Sequence, residues 1–383
     1  MSRRPLVIAH DYLTQRGGAE KVVLALTRGF PDAPVQTTLY APADTYPEFA
    51  DVEVRTTGLN RWRWLRHHHR FALPLLARSV SRTTIDADVT LVSSSAWAHG
   101  FRTTGRKIVY CYSPARWLYQ PERYLGKRPA LAQRALLRLL GPGLRRWDRR
   151  QARGADAYIA ISGAVQQRIR DAYGIEAEVV HAPHSYSASG EQQRPGGLPG
   201  SLAEGGFALC ISRLLPYKNV DAVVDAFREL GRPLVVVGSG PEEASLRARA
   251  SGDITFLQRL SDAEMRWLYA RCDAVIAASY EDFGLTPIEA AVFGKPAVAL
   301  RWGGFLDTIV EGVTGTYFDE PTPAAIAPAV RQSGSRAWDA DAIRAHAETF
   351  SEATFLRRIS GVIARVTGSA PGSAGAGPSG GLR

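Results

Sequence analysis

The sequence predicts an α/β protein with two doubly wound domains, each built on a parallel sheet covered by helices. The chain has 383 residues, which is too many for one ordinary hydrophobic core. Short β-branched runs alternate with longer helical patterns, which is typical of parallel sheets. The alternation starts afresh at Phe207, after a segment rich in Ser, Gly, Pro and Gln. That segment predicts a linker between the domains.

The first domain is predicted to span residues 1–183. Apolar and β-branched runs predict its strands at 6–9, 35–39, 52–55, 89–93, 108–112, 158–161 and 178–180. Helical periodicity predicts its helices at 19–30, 131–152 and 164–173.

The second domain is predicted at 207–347, after a linker at 184–206. Its predicted strands are 207–211, 234–237, 254–256, 274–277 and 297–300. Its predicted helices are 220–230, 242–250, 262–271 and 286–293, with a C-terminal helix within 348–366. The tail at 367–383 consists largely of Gly, Ser, Ala and Pro and is expected to be disordered. Ligands of doubly wound domains bind beyond the carboxyl ends of the strands, so the cleft between the domains is the expected site.

Charge is unevenly distributed along the chain, whose formal net charge is +10. Residues 1–185 hold 28 Lys and Arg against 15 Asp and Glu, whereas residues 186–383 hold 19 against 22. The basic half is expected to meet an anionic partner. Residues 61–70, RWRWLRHHHR, favour peripheral contact with an anionic membrane, and an amphipathic helix with a solvated basic face is the alternative. Nucleic acid is not expected, because the second half is mildly acidic and lacks an aromatic stacking platform.

The sequence predicts a cytosolic protein without a metal or a bound cofactor. It has no apolar run long enough to span a membrane and no secretory cleavage pattern at its start. Its three cysteines lie far apart and are expected to be reduced core residues. Asp86-Ala87-Asp88 and Asp339-Ala340-Asp341 formally resemble a metal-binding D-x-D pattern, but we interpret them as solvated charges or helix caps.

A pair of glycines follows the first predicted strand. His10-Asp11 ends that strand, and Arg16-Gly17-Gly18-Ala19-Glu20 leads directly into a helix. Two glycines allow the backbone to approach a ligand closely, and the N–H groups of a helix start attract phosphate. A tight turn without a ligand is the alternative interpretation.

Two cations follow the first strand of the second domain. Arg213 and Lys218 lie between that strand and the next helix, so both are expected at the carboxyl edge of the sheet. An Arg fork and a compact Lys ammonium suit a diphosphate, and a surface loop with incidental charge is the alternative.

Two glutamates with seven residues between them follow a later strand. Glu281 lies in the loop, and Glu289 lies in the helix that begins near Gly284 and Pro287. Carboxylates accept hydrogen bonds from sugar and ribose hydroxyl groups, which favours a nucleotide sugar as ligand. A general acid and base pair is the competing interpretation.

Taken in order, these motifs resemble glycosyltransferase family four, a large retaining family with the GT-B fold. The similarity also includes Gly294-Lys295-Pro296 and Gly303-Gly304. A subgroup of bacterial mannosyltransferases of surface polysaccharide assembly is similar at residues 17–21, 31–34 and 214–218. The resemblance implies two Rossmann-like domains facing across a cleft, with the C-terminal helix returning to the first domain.

The resemblance also implies roles for individual residues. Arg213 and Lys218 would hold the donor diphosphate and act in catalysis together with Glu281, which would contact the transferred sugar, and Glu289 would bind the ribose. The further implied donor contacts are Gly17, Gly18, Leu260, Phe283, Gly284, Leu285 and Thr286. The implied acceptor or sugar-side residues are His10, Tyr112 and Arg116. The family needs no metal, and its retention of configuration is attributed to front-face displacement.

The chain departs from the family pattern at two places. Tyr112 stands where many relatives have a histidine near the sugar and acceptor, and Pro183-His184-Ser185 stands where relatives commonly have Pro-Val-Asp. The resemblance implies a hexosyltransferase with GDP-mannose as leading donor, acting on a saccharide, a lipid-linked acceptor or a small metabolite. The alternatives are a UDP- or dTDP-sugar-dependent enzyme of natural-product biosynthesis and a non-catalytic nucleotide-sugar-binding protein.

Overall fold

The computed structural model describes residues 4–67, 73–120 and 131–368. The chain forms two compact units. Unit 1 comprises Met1–Ile161, Val165–His181 and Glu352–Arg383, and unit 2 comprises Ser162–Ala164 and Ala182–Ser351. Of the tail predicted to be disordered, 367–383, residues 369–383 lie outside the described residues.

Unit 1 is built on a parallel sheet. Its strands among the described residues are β1 (Arg4–His10), β2 (Val35–Thr37), β3 (Val54–Thr56), β4 (Thr84–Ile85), β5 (Ala87–Ser94), β6 (Arg102–Thr103), β7 (Arg106–Cys111), β8 (Ala157–Ala160) and β9 (Glu178–Val179). Seven of these described strands form one sheet in the order β3-β2-β1-β5-β7-β8-β9, and β4 pairs with β6. The strand order reverses between β1 and β5, so the loops after these two strands meet at the carboxyl edge of the sheet.

The described helices of the first part of the chain lie between these strands along the sequence. They are α1 (Gly18–Gly29), α2 (Arg63–His67), α3 (Leu73–Arg82), α4 (Arg116–Tyr119), α5 (Leu131–Arg153) and α6 (Gly163–Tyr173). Helices and sheet bury apolar side chains. Those that are almost fully buried include Val7, Ile8 and Ala9 of β1 and Val22 and Val23 of α1. These runs are apolar because a parallel sheet is covered on both faces.

Unit 2 contains the second parallel sheet. Its described strands are β10 (Ala208–Ile211), β11 (Leu234–Val237), β12 (Ile254–Leu257), β13 (Ala274–Ala277), β14 (Ala297–Leu300) and β15 (Gly315–Phe318), in the order β12-β11-β10-β13-β14-β15. Its described helices are α7 (Val220–Leu230), α8 (Glu243–Arg249), α9 (Asp262–Arg271), α10 (Leu285–Val292), α11 (Phe305–Thr308), α12 (Pro323–Gly334) and α13 (Ala340–Glu348). The strand order reverses between β10 and β13, which predicts a ligand site at the loops after these strands.

Local sequence signals explain several helix boundaries in unit 2. Ser261 accepts a hydrogen bond from the Glu264 N–H at 3.2 Å while the Glu264 carboxylate accepts from the Ser261 N–H at 2.8 Å, which is a capping box at the start of α9. The Asp339 carboxylate accepts from the N–H groups of Asp341 and Ala342 at 2.9 and 3.1 Å. The interpretation of Asp339 as a helix cap is therefore confirmed.

The segment predicted as a linker, 184–206, is part of unit 2. Leu198 and Leu202 are 5% and 7% exposed and join a core cluster with Phe207 and Trp267. The Gln193 N–H also donates to the Ala263 carbonyl at 3.1 Å. The two leucines remove apolar surface from water and contribute to packing this segment against the domain core.

The last described helix, α14 (Glu352–Thr367), belongs to unit 1. The Phe355 ring packs edge-to-face on Tyr110 with centroids 5.6 Å apart, and Arg28 pairs with Glu352. No helix in the described part of the chain has both the length and the apolar character that crossing a bilayer requires.

Candidate active site

A buried cation and a carboxylate meet where the strand order of unit 2 reverses. Lys218 ends a short 3₁₀ turn after β10 and is 8% exposed. Its ammonium donates a hydrogen bond to the carboxylate of Glu281, in the loop after β13. The Ser279 hydroxyl also donates to Glu281 Oε1, at 3.1 Å. The structure therefore brings together two residues to which the family resemblance gives different parts of the donor, the diphosphate and the transferred sugar.

Asn219 and Tyr217 fix the loop that carries Lys218. Asn219 adopts a left-handed conformation, with φ of 52°, and its Nδ2 donates to the Ala278 carbonyl at 2.8 Å. This bond ties the loop after β10 to the loop after β13. Lys218 Nζ lies 5.0 Å from the centre of the Tyr217 ring, within the range of a cation–π contact.

Arg213 is the second predicted phosphate ligand, and its guanidinium is solvent-exposed. Arg213 Nη2 donates to the Tyr217 hydroxyl at 3.0 Å. Tyr217 therefore contacts both predicted cations, Arg213 and Lys218, which lie on the same loop after β10. Cations at the carboxyl edge of a sheet are suited to an anionic ligand.

Glu289, the second glutamate of the pair, lies in α10 and is 9% exposed. Its Oε2 accepts a hydrogen bond from the Tyr269 hydroxyl at 2.7 Å. Tyr269 is fully buried in α9 and stacks on Phe293 with centroids 5.6 Å apart. Burial, with the Glu289 charge adding to it, raises the pKa of Tyr269 well above its ordinary value, so the phenol stays protonated and donates. Tyr269 was not predicted as a site residue. The feature of the sequence that could have indicated it is a tyrosine, with its polar hydroxyl, on the buried face of a helix.

Glycines allow close backbone packing around Glu281 and α10. A β-carbon at Gly303 would overlap the Glu281 carbonyl, and one at Gly304 would overlap the backbone of Phe283. Gly284 precedes α10 with φ of 84°, a conformation that glycine adopts without strain. Phe283 is buried, whereas Leu285 and Thr286 are partly exposed in the first turn of α10, where backbone N–H groups lack intrahelical acceptors. Leu260, in the loop after β12 at the same edge, is partly buried against the core.

The predicted acceptor-side residues of unit 1 form a polar chain. His10, at the end of β1, is 1% exposed, and its Nδ1 lies 3.1 Å from the Ser93 carbonyl and 3.0 Å from the Ser93 hydroxyl. The Ser93 and Tyr112 hydroxyl oxygens are 2.9 Å apart, and the Tyr112 hydroxyl donates to the Ala19 carbonyl at 3.2 Å. This chain connects β1, β5 and the start of α1.

Tyr112 remains a neutral phenol in this environment. Burial is the main cause that raises its pKa well above the ordinary value of a tyrosine. A neutral phenol whose proton is directed to a backbone carbonyl can position neighbouring groups but is a poor base. Arg116, the remaining acceptor-side prediction, begins α4 and is partly buried.

Asp11, the residue after His10, has a structural role that spacing did not reveal. Its carboxylate accepts hydrogen bonds from the N–H groups of Trp97 and Ala98, both at 2.7 Å, and from the hydroxyl of Ser95 at 2.9 Å. The first strand thereby holds the loop after β5 in place. Charged acceptors of several N–H groups make strong hydrogen bonds in the protein interior.

The paired glycines form the start of α1, one residue earlier than the helix predicted at 19–30, and lie next to a buried carboxyl group. Gly17 is the N-cap of α1 and Gly18 its first residue. Glu20, in the first turn, is 1% exposed, and its Oε2 lies 2.6 Å from the position of a β-carbon added at Gly17. Gln15 donates to Glu20 Oε1 at 3.1 Å, while Oε2 makes no side-chain hydrogen bond within the described residues. Burial raises the pKa of Glu20, and the nearby His10 opposes that shift.

We expect Glu20→Gln to stabilise the protein at neutral pH, where the buried carboxyl of the wild type must ionise at a cost in free energy. The pKa of the Glu20 carboxyl in the folded protein is raised above its ordinary 4.5. Between the unfolded and folded pKa values, the folded protein retains a proton that the unfolded chain loses. The stability of the wild type therefore falls as pH rises from the unfolded to the folded pKa. Glutamine cannot ionise. The melting temperature of the Glu20→Gln variant should exceed that of the wild type at pH 8 and equal it near pH 4. Equal melting temperatures at both pH values, or the same gain in the exposed control Glu204→Gln, would contradict this.

The basic and aromatic stretch 61–70 is described only in part. Trp62 and Trp64 are 55% and 57% exposed, and residues 68–70 lie outside the described residues. Among the described residues, no group of three or more histidine, cysteine or carboxylate side chains is arranged to hold a metal ion. Independence from metal remains a prediction.

Two family models match the chain. The model described as Glycosyltransferase Family 4 matches residues 16–184, and the model described as Glycosyl transferases group 1 matches residues 200–337. A GDP-mannose-dependent alpha-(1-6)-phosphatidylinositol monomannoside mannosyltransferase of Mycolicibacterium smegmatis is 26% identical over 358 residues, which are 85% of this chain and 87% of that protein. The D-rhamnosyltransferase WbpZ of Pseudomonas aeruginosa is 31% identical over 133 residues, which are 33% of this chain and 35% of that protein.

Solved structures with the same fold cover nearly the whole chain. Anabaena Alr3699/HepE in complex with UDP superimposes with a TM-score of 0.70 at 18% identity, over 94% of this chain and 100% of that one. The sucrose-phosphate synthase of Thermosynechococcus elongatus has a TM-score of 0.68 at 14% identity, over 95% and 100%. The prediction of a GT-B fold with two Rossmann-like parallel sheets is confirmed.

Proposed function

We propose that this chain, which belongs to glycosyltransferase family 4, transfers mannose from GDP-mannose to a hydroxyl group of an acceptor with retention of configuration. The observation that carries the proposal is the paired Lys218 and Glu281 at the strand-order reversal of unit 2. Glu289 and the exposed Arg213 lie on neighbouring loops and helices at the same sheet edge. Together they offer two cations for a diphosphate and two carboxylates for hydroxyl groups.

In this proposal, the charge of the leaving diphosphate is met by protein groups. Lys218 supplies a buried ammonium, Arg213 supplies a guanidinium fork, and the first turn of α10 supplies backbone N–H groups. Glu281, which accepts a hydrogen bond from Lys218, would turn one oxygen to a hydroxyl of the transferred sugar. Glu289, fixed by Tyr269, would accept from the ribose.

The proposed chemical step is a front-face displacement. The bond between the anomeric carbon and the β-phosphate oxygen breaks, and a bond from the same carbon to the acceptor oxygen forms on the same face. The acceptor proton passes to the departing phosphate oxygen, so GDP leaves with that proton. Fixed cations stabilise the charge that develops on the phosphate in the transition state.

The choice of GDP-mannose rests on the mycobacterial relative, whose name states that donor and of which 87% is covered. A UDP- or dTDP-sugar is the second candidate, because the structural neighbour Alr3699/HepE has been solved with UDP and with UDP-glucose. For the acceptor, the same relative acts on a phosphatidylinositol monomannoside. Exposed Trp62 and Trp64 beside arginines support a lipid-linked acceptor at an anionic membrane.

The donor class can be tested by thermal melting with GDP, UDP, dTDP and ADP, each with and without EDTA. A ligand that binds only the folded state raises the melting temperature. We expect the largest shift with GDP, and we expect EDTA to leave it unchanged. A larger shift with UDP would select the second candidate. No shift with any nucleotide would favour a non-catalytic protein and overturn the proposal.

A further inference from the structure

A pocket lies in unit 2, at the edge of the sheet away from the candidate donor site. It has a volume of about 450 Å³ and is lined by residues from the amino ends of β10 and β13, from the start of β14, and from the end of α12. This volume is typical of sites for small molecules. Its polar and aromatic lining residues include Arg232, Asp273, Lys295, Ser333, Arg336 and Trp338.

Topology separates this pocket from the candidate donor site. Lys218 and Glu281 follow the carboxyl ends of β10 and β13, whereas Ala208 and Ala274, which line the pocket, begin these strands. Each strand has four residues, which corresponds to a length of about 10 Å. A ligand in this pocket would therefore leave the donor site accessible.

The charges around the pocket are predominantly positive. Three cations, Arg232, Lys295 and Arg336, line it together with one carboxylate, Asp273. Arg232 Nη2 and Asp273 Oδ2 are 3.6 Å apart, which is a loose pair. The Lys295 ammonium makes no hydrogen bond or ion pair with the described residues, although it lies near enough to Asp273 to act on it electrostatically. The pocket therefore has a net charge of about +2.

Several contacts link the residues on one side of the pocket. The Trp338 Nε1–H donates to the Ser333 carbonyl at 3.0 Å, and the Arg336 guanidinium lies 5.0 Å from the centre of the Trp338 ring. Arg336 also donates to the Gly312 carbonyl at 2.5 Å. These bonds hold Arg336 and Trp338 in place, whereas Lys295 and Arg232 retain donors for a ligand.

We propose that this pocket binds a small phosphate monoester, with Lys295 and Arg232 as its charged contacts. A phosphate monoester carries a charge between −1.5 and −2 near pH 7, which matches the charge of the pocket. Arg and Lys are the side chains that bind phosphate oxygens most strongly. The volume leaves room for a group of sugar size beside the phosphate, and Trp338 offers an apolar surface for it.

Thermal melting with glucose 6-phosphate as probe tests the proposal, with sodium chloride at equal ionic strength as reference. We expect a saturable stabilisation of the wild type that persists when GDP is present at saturation, because the two ligands occupy different sites. Lys295→Met should raise the dissociation constant at least tenfold. Arg331→Met is the matched control, since it removes one charge from the exposed face of α12 outside the pocket, and it should bind as the wild type does.

Four results would overturn the proposal. These are stabilisation no greater than with sodium chloride, equal affinity in the wild type and Lys295→Met, loss of the effect when GDP is added, and equal affinity for inorganic phosphate. If Lys295→Met does not fold, Arg232→Met serves in its place. Arg232 has a side chain that is 40% exposed, so its truncation is compatible with a folded protein, and the same loss of affinity is expected.

Discussion

Lys218→Ala should lower kcat for sugar transfer by about 100-fold to 1,000-fold. In the proposed function, the Lys218 ammonium meets the negative charge that develops on the departing diphosphate. Glu281 and the Tyr217 ring hold this ammonium at the carboxyl edge of the unit 2 sheet, where the diphosphate is proposed to bind. Alanine removes a contact that strengthens in the transition state, and the loss should therefore appear mainly in kcat.

The measurement is the initial rate of nucleotide release from the donor in the presence of acceptor. Arg331→Ala, which also removes one positive charge but from an exposed position on α12, should keep the wild-type rate. Circular dichroism at the assay temperature should show both variants folded, which separates lost chemistry from lost structure. A rate for Lys218→Ala within threefold of the wild type would show that the ammonium does not meet the leaving group.

Glu289→Gln should weaken binding of the donor nucleotide by about tenfold to 100-fold. A hydrogen bond to a charged group contributes about 1.5 to 3 kcal/mol, and each 1.4 kcal/mol corresponds to about one factor of ten. The substitution preserves the size of the side chain and an oxygen for the Tyr269 hydroxyl. It removes the negative charge that would accept from the ribose hydroxyl groups.

Isothermal titration with GDP measures this effect, and two further variants make it specific. Glu229→Gln changes an exposed carboxylate at the end of α7 and should leave affinity unchanged. Tyr269→Phe removes the hydroxyl that holds Glu289 and should cause a smaller loss than Glu289→Gln, because the carboxylate remains but is less well oriented. Wild-type affinity in Glu289→Gln would remove this residue from the proposed ribose contact.

Local sequence was sufficient for much of the secondary structure of unit 2. The strands at 234–237, 274–277 and 297–300 and the helices at 220–230 and 262–271 were predicted with the observed bounds. These segments combine apolar periodicity with strong boundary signals, such as the capping box at Ser261 and the left-handed Gly231 after α7. Local and tertiary preferences agree there.

Elements without such signals were missed. The edge strand β15, Gly315–Phe318, begins at a glycine and contains no β-branched run, so its pairing with β14 depends on tertiary packing. The short strands β4 and β6 each have two residues and fall below the length at which periodicity can be recognised. The strand predicted at 52–55 is Val54–Thr56 in the structure.

For the candidate site, the sequence indicated the residues but not their mutual contacts. Lys218 and Glu281 are 63 positions apart, and only the neighbouring positions of β10 and β13 bring them together. Tyr269 and Glu20 were not predicted as site residues, because a buried tyrosine on a helix and a glutamate in a first helical turn are ordinary features of a sequence. Their importance depends on burial and on the group that each one faces.

In the proposed function, this chain transfers a sugar from a nucleotide diphosphate donor. The most direct test is the rate of GDP release from GDP-mannose with a lipid-linked saccharide acceptor in anionic vesicles, in buffer with EDTA, together with the anomeric configuration of the product. We predict multiple turnovers, a product with the configuration of the donor, and a rate that falls 100-fold or more in Lys218→Ala. If acceptor caused no release of nucleotide diphosphate from GDP-mannose, UDP-glucose or a dTDP-sugar, with or without added metal, the proposed function would be wrong.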